Sequence, residues 1–523
     1  MSEKNLEQSF SESYDVVVIG AGNGGLVAAT QLAKQGVKVL LLEQHNVPGG
    51  FATSFVRGRF EFEPSMHVLA AFGKSPNIGP LRSIFEDEFN LDVEFLPVPE
   101  AFRAISLNPD DNFDVLMPFG VEETIDKIEK EAPGSRESVT LFLRLCKEVS
   151  DAIAYIAQAQ GNPDRKLLMK EYGNFLRTVP YSLGDVIDTF NMPQKAKDIL
   201  SAYWVYLGPP VNRCGFTIYA TMLYNLLLQG AFVPKYRSHG YTSALDLKIR
   251  ELGGRVEYNT KAERILVDNG QVIGVETSKG DKIKTNYVIS NASPTLVYNQ
   301  LVYPKEEVPE IAYKQINART HGTTGFVVYL GLDASAEELG LTEYSYFIFD
   351  TLDTEEAYES FGTLEAPKAQ AAMVLNLTVP DCSPLGTCIL SLTTLFQPEV
   401  WANVKEEDYF KLKSKIADQL IAKFEKATST SIREHIEEIE IASPQTWARY
   451  TGTYNGIIYG YEPDPWDSLI PRMMTMEEEF YIKGLKFCGG FSFQSHGYST
   501  SMISGNIAAL LTIRDMKEGG GEE

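Results

Sequence analysis

Hydrophobic and polar positions alternate between two regimes along this chain. Tyr14 to Ile19 (YDVVVI) is a short valine-rich run, the pattern of a strand buried on both faces. After a glycine cluster, Leu26, Ala29, Leu32 and Ala33 keep helical spacing, and Gly36 ends that pattern. Val37 to Leu42 (VKVLLL) is a second strand, so this stretch predicts a βαβ unit. From about Pro97 to Pro234 the period is mostly helical. Glu122 to Glu131 places Ile125 and Ile128 on one face, and Ser138 to Ala159 keeps Leu141, Leu145, Val149 and Ile153 in register. Thr217 to Val233 is apolar almost all round. It predicts either a helix buried in a large core, a tunnel wall or a membrane-docking face.

Beyond Gly240 the texture turns Rossmann-like again. Ser243 to Leu252 predicts a helix closed by Gly253-Gly254. Asp268-Asn269-Gly270 and Lys279-Gly280-Asp281 predict hairpin turns, and Tyr287 to Asn291 a strand. Strands are expected over Gly325 to Leu330, Tyr346 to Phe349, Ala372 to Leu377 and Thr387 to Thr394, with a helix over Glu406 to Ala427. Gly484 to Gly490 reads as strand and turn, and Ser499 to Met516 as a closing helix. The fold class is α/β, a Rossmann-like domain interleaved with an α+β domain. The first is assigned residues 14–96, 236–300 and 476–516, the second 97–235 and 301–475. Residues 1–13 and 517–523 are polar or glycine-rich and are expected to be disordered.

With 523 residues the chain exceeds one ordinary core. A net charge of −23 repels phosphate backbones, so no nucleic-acid partner is expected. The five cysteines are widely spaced, with no CxxC pair, which argues against a disulfide framework or a metal site and for a reducing compartment. Met1 to Ser13 lacks a signal-peptide pattern, and no run of 18 apolar residues exists. A cytoplasmic location is expected, with peripheral membrane contact left open.

Gly20, Gly22 and Gly25 form GxGxxG directly between strand and helix. The first permits the tight turn, the second lets backbone approach a pyrophosphate, and the third lets helix and strand pack closely. The helix start, with Asn23, offers free N–H groups to phosphates. Glu43, beside Gln44, ends the second strand 23 positions after Gly20, where the fingerprint expects an acid for ribose hydroxyls. A second glycine pair follows in Gly49-Gly50-Phe51-Ala52-Thr53.

These segments resemble the FAD-containing amine oxidase and phytoene desaturase superfamily, in which Gly-Gly after the ribose-binding acid lines the pyrophosphate and ribityl chain. The resemblance implies FAD rather than NAD, and makes the Rossmann-like unit an FAD-binding domain and the other a substrate domain. It runs from about Tyr14 to Ile513 and is nearest the branch of phytoene desaturases, carotenoid isomerases and retinol saturases, through Asp381 to Leu392, Asn455 to Glu462 and Gly484 to Gly505. It places Val256 and Ala262 at the adenine, Asn291 and Ala292 in the next turn, and the backbone of Tyr498, Ser499 and Thr500 against the flavin ring. Two departures stand out. Gly489-Gly490 replaces a glycine–acid pair, so one flavin contact becomes backbone-only or absent. Pro234 to Gly240 (PKYRSHG) has His239 where relatives carry a glycine.

The implied activity is flavin-dependent desaturation, saturation or isomerisation of C–C or C=C bonds in a long hydrophobic isoprenoid, carotenoid, retinoid or lipid. The alternatives are a flavin amine oxidase and a non-catalytic prenyl-lipid carrier of the same fold. No second GxGxxG exists, so the electron donor or acceptor is unknown: oxygen, a quinone, another protein or a transient donor. His67, His496 and Tyr498 are the candidate catalytic residues, with a hydrogen-bonded core histidine as the bland alternative for His67. Tyr454 and Tyr459 are candidate flavin walls. Glu61 and Glu63 alternate with aromatics as a solvated strand face would. Arg237 and His239 either meet substrate or rim a loop.

Overall fold

The structure is a computed structural model that describes residues 10–110, 113–159, 163–493 and 496–519. Its first sheet is entirely parallel, in the order Arg255–Glu257, Val39–Leu42, Val16–Ile19, Tyr287–Ser290, Leu485–Phe487. Val16–Ile19 and Val39–Leu42 are buried at every position, as continuous apolar runs require. Helix α1 (Asn23–Lys34) joins these two strands and is buried over nearly its whole length. Three chain segments far apart in sequence therefore build one sheet.

Beside it lies a five-stranded sheet that includes Ala262–Asp268, Gln271–Thr277 and Lys282–Lys284. Its edge corrects the expected disorder of residues 1–13. Residues 1–9 lie outside the described residues, but Glu12–Ser13 pairs in parallel with Ile283 and Lys284. Ser11 N–H donates to the Lys282 carbonyl at 2.8 Å, and Glu12 ion-pairs with Arg255 at 2.9 Å. The expected disorder from 517 fails likewise, since the closing helix reaches Gly519; residues 520–523 lie outside the described residues.

A seven-stranded mixed sheet supports the rest, with Ala369–Val374 at its centre and Cys388–Phe396 and Thr324–Leu332 following on one side. It also contains an unexpected hairpin, Phe102–Ser106 with Asp114–Met117, in the region read as mostly helical. Helix α2 (Arg136–Gln158) and helix α5 (Phe216–Gln229) pack together, separated in sequence by several short helices, the first two being α3 (Arg165–Glu171) and α4 (Gly173–Thr178). The predicted stripe of α2 is shifted. Leu141 is 48% exposed, and the core face is Val139, Phe142, Cys146 and Val149. The apolar run from Thr217 also ends sooner than expected. Gly230 takes a positive φ, and Phe232–Pro234 is a strand paired with Phe95–Pro97. Similarly, the strand expected over Ala372 to Leu377 stops at Val374, and Leu375–Leu377 is a 3-10 turn.

Helix α6 (Arg237–Glu251) starts earlier than expected, and helix α7 (Tyr498–Gly519) packs lengthwise on α1. There the two backbones touch: a Cβ built on Gly505 would sit 2.1 Å from the Gly24 carbonyl oxygen. Among the described residues no helix is long and apolar enough to cross a membrane.

Candidate active site

The strand-to-helix turn at Gly20–Gly25 opens into a cavity of about 1910 Å³. Gly20 has φ +92°, and a Cβ on Gly25 would fall 1.9 Å from the Gly20 carbonyl oxygen, so the third glycine serves helix–strand contact. At Gly22 a Cβ would come within 2.5 Å of Asn291 Nδ2. No side chain caps α1, so its first amides and its positive end face the cavity. The second glycine pair folds back onto the first: Gly49 N–H donates to the Ala21 carbonyl at 2.7 Å, and Gly49 and Gly50 have φ +125° and +61°.

Glu43 is 7% exposed. Its two oxygens accept from the backbone N–H groups of Ala21 (2.7 Å) and His45 (2.8 Å), which fixes the carboxylate at the cavity edge with lone pairs to spare. Asn23, Gln44, Phe51, Ala262, Asn291, Gly489, Gly490, Tyr498, Ser499 and Thr500 also line this cavity. Four expected contacts do not: Gly25, Ala52, Thr53 and Val256. Ala52 and Thr53 instead brace the second turn, by the Ala52 N–H to the Gly49 carbonyl (2.9 Å) and Thr53 Oγ1 to the Pro48 carbonyl (3.2 Å). Val256 is a core residue paired with Leu41. Of the two glycines at the last strand, Gly489 has its N–H taken by Ser504 Oγ at 2.9 Å. The amide of Gly490 is the one left for a backbone contact.

All three candidate catalytic residues line the cavity. His67 Nε2 lies 2.9 Å from Ser345 Oγ, with Tyr206, Tyr344 and Phe347 around its ring. His496 Nε2 donates to the Tyr206 carbonyl at 2.8 Å, and its ring stacks on Tyr459 at 4.2 Å. Burial pushes both imidazoles down to about 4, so both are neutral at pH 7. Tyr498 donates to the Phe51 carbonyl and lies 3.1 Å from Ser65 Oγ; burial raises its phenol well above its usual range. The hydroxyls of Ser499 and Thr500 are spent on the Ala70 and His496 carbonyls, at 2.7 and 2.6 Å. Donation to a ligand there falls to the helix-start backbone.

Tyr459 is a cavity wall, whereas Tyr454 is exposed and packs on His321. Glu61 pairs with Arg237 at 2.6 Å. Glu63 is not on a solvated face. It is 1% exposed and accepts from the backbone N–H and the hydroxyl of Ser238, the latter at 2.6 Å. Burial raises its carboxyl to about 7. Neither Arg237 nor His239 lines the cavity. Tyr203 and Tyr206 were not anticipated. They stack at 4.7 Å on the 3-10 turn Ala202–Tyr206, and the aromatic run YWVY was their only sequence signal.

Comparison with known proteins fits this geometry. The family model for flavin containing amine oxidoreductase matches residues 24–439, and the chain belongs to that family. Within it, the protein is an FAD-dependent oxidoreductase. It is 27% identical to all-trans-retinol 13,14-reductase of Danio rerio, over 94% of this chain and 85% of that one. It is 24% identical to the chloroplastic prolycopene isomerase of Daucus carota, over 98% and 82%. The fold matches an oxidoreductase from Methanosarcina mazei (TM-score 0.62, 16% identity, 96% and 100% covered). It also matches cyclohexylamine oxidase from Brevibacterium oxydans (TM-score 0.60, 13% identity, 97% and 100% covered).

FAD fits the residues present. Two abutting glycine turns, an uncapped helix start and a buried carboxylate are the donor set a dinucleotide requires. The cavity is larger than the roughly 300–1000 Å³ of an ordinary ligand pocket, which leaves room for a second molecule.

Proposed function

We propose that this enzyme acts on carbon–carbon bonds of a long apolar polyene of the retinoid, carotenoid or isoprenoid class. The observation that carries the reading is the composition of one arm of the cavity. It is walled by Ile153 and Ala157 of α2, Ile218, Met222 and Leu226 of α5, and Met473. No charged side chain lines it over residues 150–229 or 469–474. An ammonium group would find no carboxylate on these described segments, which disfavours an amine substrate. The cavity's Glu477 and Glu478 lie on the segment that follows, with Glu477 paired to Arg514.

In this reading residues 14–96, 236–300 and 476–516 form the FAD-binding unit, and 97–235 and 301–475 the substrate unit. Gly20, Gly22 and Asn23 hold the pyrophosphate at the start of α1, and Glu43 with Gln44 the ribose. Gly49, Gly50 and Phe51 would line the ribityl chain, Ala262 would meet the adenine, and Asn291 and Gly490 would offer further contacts. Bound there, the flavin supplies hydride or electron exchange with the substrate. The start of α7, at Tyr498–Thr500, presents its positive end to developing negative charge. His67 and His496, both neutral, orient groups through hydrogen bonds and do not deliver protons as cations. The apolar arm excludes water and aligns the chain of the substrate.

Polyene substrates partition into bilayers, and contact with a membrane surface is part of the reading, together with a cytoplasmic location. Leu167, Met169 and Leu176 on α3 and α4 are exposed beside Arg165, Lys166 and Lys170. Co-sedimentation with anionic vesicles, weakened by Met169→Glu, is the expected result, and equal binding by both proteins removes α3 and α4 from the contact.

The substrate test uses holoenzyme under anaerobic conditions. Reduced protein mixed with all-trans-retinol or a poly-cis carotenoid should either reoxidise its flavin as a double bond is saturated, or isomerise the polyene. Unchanged spectra of flavin and polyene, together with peroxide release on adding primary amines in air, would overturn the proposal.

A further inference from the structure

The apolar arm has one polar cluster; its other polar side chains on α2 and α5 are Gln158 and Thr221, and the Thr221 hydroxyl donates to the Thr217 carbonyl at 2.8 Å. Ser150 of α2 and Asn225 and Gln229 of α5 all line the cavity, two successive turns of α5 bringing both amides to the same wall. They are tied together. Asn225 Oδ1 accepts from Ser150 Oγ at 3.2 Å and from Gln229 Nε2 at 3.5 Å. Asn225 Oδ1 is thereby satisfied, but Gln229 Oε1 is buried with no hydrogen-bond partner. Leaving a buried amide acceptor unmet is unfavourable, and a ligand that meets it removes that cost. Ile218 lies on the same face about 10 Å further along the helix, and Met222 and Leu226 flank the cluster, so it is set in a mostly hydrocarbon wall.

A cavity meant for a pure hydrocarbon gains nothing from such a cluster. A few placed polar groups in an apolar pocket ordinarily fix which end of a ligand goes where. The cluster has no charge to pair with a carboxylate or an ammonium. It offers amide N–H donors from Asn225 and an unmet acceptor on Gln229, whose terminal torsion is broad enough to turn that oxygen towards a ligand. The group that both donates and accepts one hydrogen bond, and carries no charge, is a hydroxyl.

We infer that Ser150, Asn225 and Gln229 form a hydroxyl-recognition site, and that the substrate is a polyene alcohol rather than a polyene hydrocarbon. The cluster sets the direction in which the alcohol enters and hence which double bond reaches the reacting centre. This inference rests on the polyene reading above and narrows it.

The test measures binding, not turnover. Oxidised holoenzyme in detergent is titrated with all-trans-retinol and with its methyl ether, which keeps the polyene and the oxygen but removes the donor. Binding is read from the perturbation of flavin absorption. Wild type should bind the alcohol about tenfold tighter or more, the ratio expected of one buried hydrogen bond. Gln229→Met, close in volume, should bring the two ligands within about twofold of each other by weakening the alcohol, whereas Asn225→Leu removes the donor to the oxygen both ligands carry and should weaken alcohol and ether alike. FAD content and thermal midpoint verify that each variant is folded, and Gln229→Met, the milder change, stands alone if Asn225→Leu does not fold. Equal affinity for alcohol and ether in wild type overturns the inference, as does a preference that survives Gln229→Met. Failure of both ligands to bind wild type removes the polyene reading itself, and with it this narrowing.

Discussion

Glu63 shows how one residue can defeat a pattern. In RFEFEP the alternation puts Phe60 and Phe62 inward and both glutamates outward, yet only Glu61 stays near the surface. The strand ends at Phe62, Pro64 turns the chain, and Glu63 is carried under the start of α6, where it meets the backbone N–H and hydroxyl of Ser238. Its carboxyl ionises near 7 in the fold and near 4.5 when unfolded. The folded chain is then the better proton binder between those values, so the contribution of Glu63 to stability falls as pH rises through that window. Glu63→Gln keeps the geometry without the titration. Relative to wild type it should gain stability between about pH 5 and about pH 8, by roughly 2–3 kcal/mol, in thermal or urea unfolding; a pH-independent difference refutes this. His67 and His496 slope the other way. Each binds a proton near 6.5 when unfolded and only near 4 when folded, so the stability they confer is full above about pH 6.5 and is lost as pH falls to about 4. Urea unfolding of His67→Gln should show a shallower loss over that range than wild type does.

At the scale of elements, the N-terminal βαβ unit was readable because its local signals agree: apolar runs, three glycines, helical spacing and an acid at one interval. The hairpin Phe102–Ser106 with Asp114–Met117 was not, because its strands are short and its pairing partner, Ser345–Phe349, lies far away in sequence. Helix α2 was recognised but its face was misplaced. Two stripes compete on it: Val139, Phe142, Cys146 and Val149 face the core, while Ser150, Ile153, Ala154 and Ala157 face the cavity. The contact of α1 with α7 is the element-level feature most open to test. Gly24 and Gly505 let two backbones meet, and a methyl group at Gly505 would collide with the Gly24 carbonyl. Gly505→Ala should destabilise the protein by about 1–3 kcal/mol and weaken FAD retention on a desalting column. Unchanged flavin content after gel filtration counts against this account of the contact.

Across the whole molecule, the interleaving of segments was legible as two returns of Rossmann-like texture, but not the register that joins them. Strand Tyr287–Ser290 sits between Val16–Ile19 and Leu485–Phe487, a pairing set by tertiary contacts that no local pattern encodes. The cavity borders elements from all of these segments, so a ligand that fills it favours the folded state over any partly assembled one. Free FAD at about a hundred times its dissociation constant should stabilise the apoprotein by about 2.7 kcal/mol, visible as a concentration-dependent rise in thermal midpoint. A midpoint that ignores added FAD would mean the cofactor binds folded and unfolded chains alike.

The contact between α1 and α7 also sets a timetable for biosynthesis. Residues 14–42 carry the first strand, α1 and the Gly20–Gly25 turn, but the edge strand Leu485–Phe487 and the helix that covers α1 are translated hundreds of residues later. Until then α1 exposes the small-residue face that will receive Gly505, and the nascent chain has a half-built groove open to water. The groove is therefore complete only once the last strand and helix have been made and have docked.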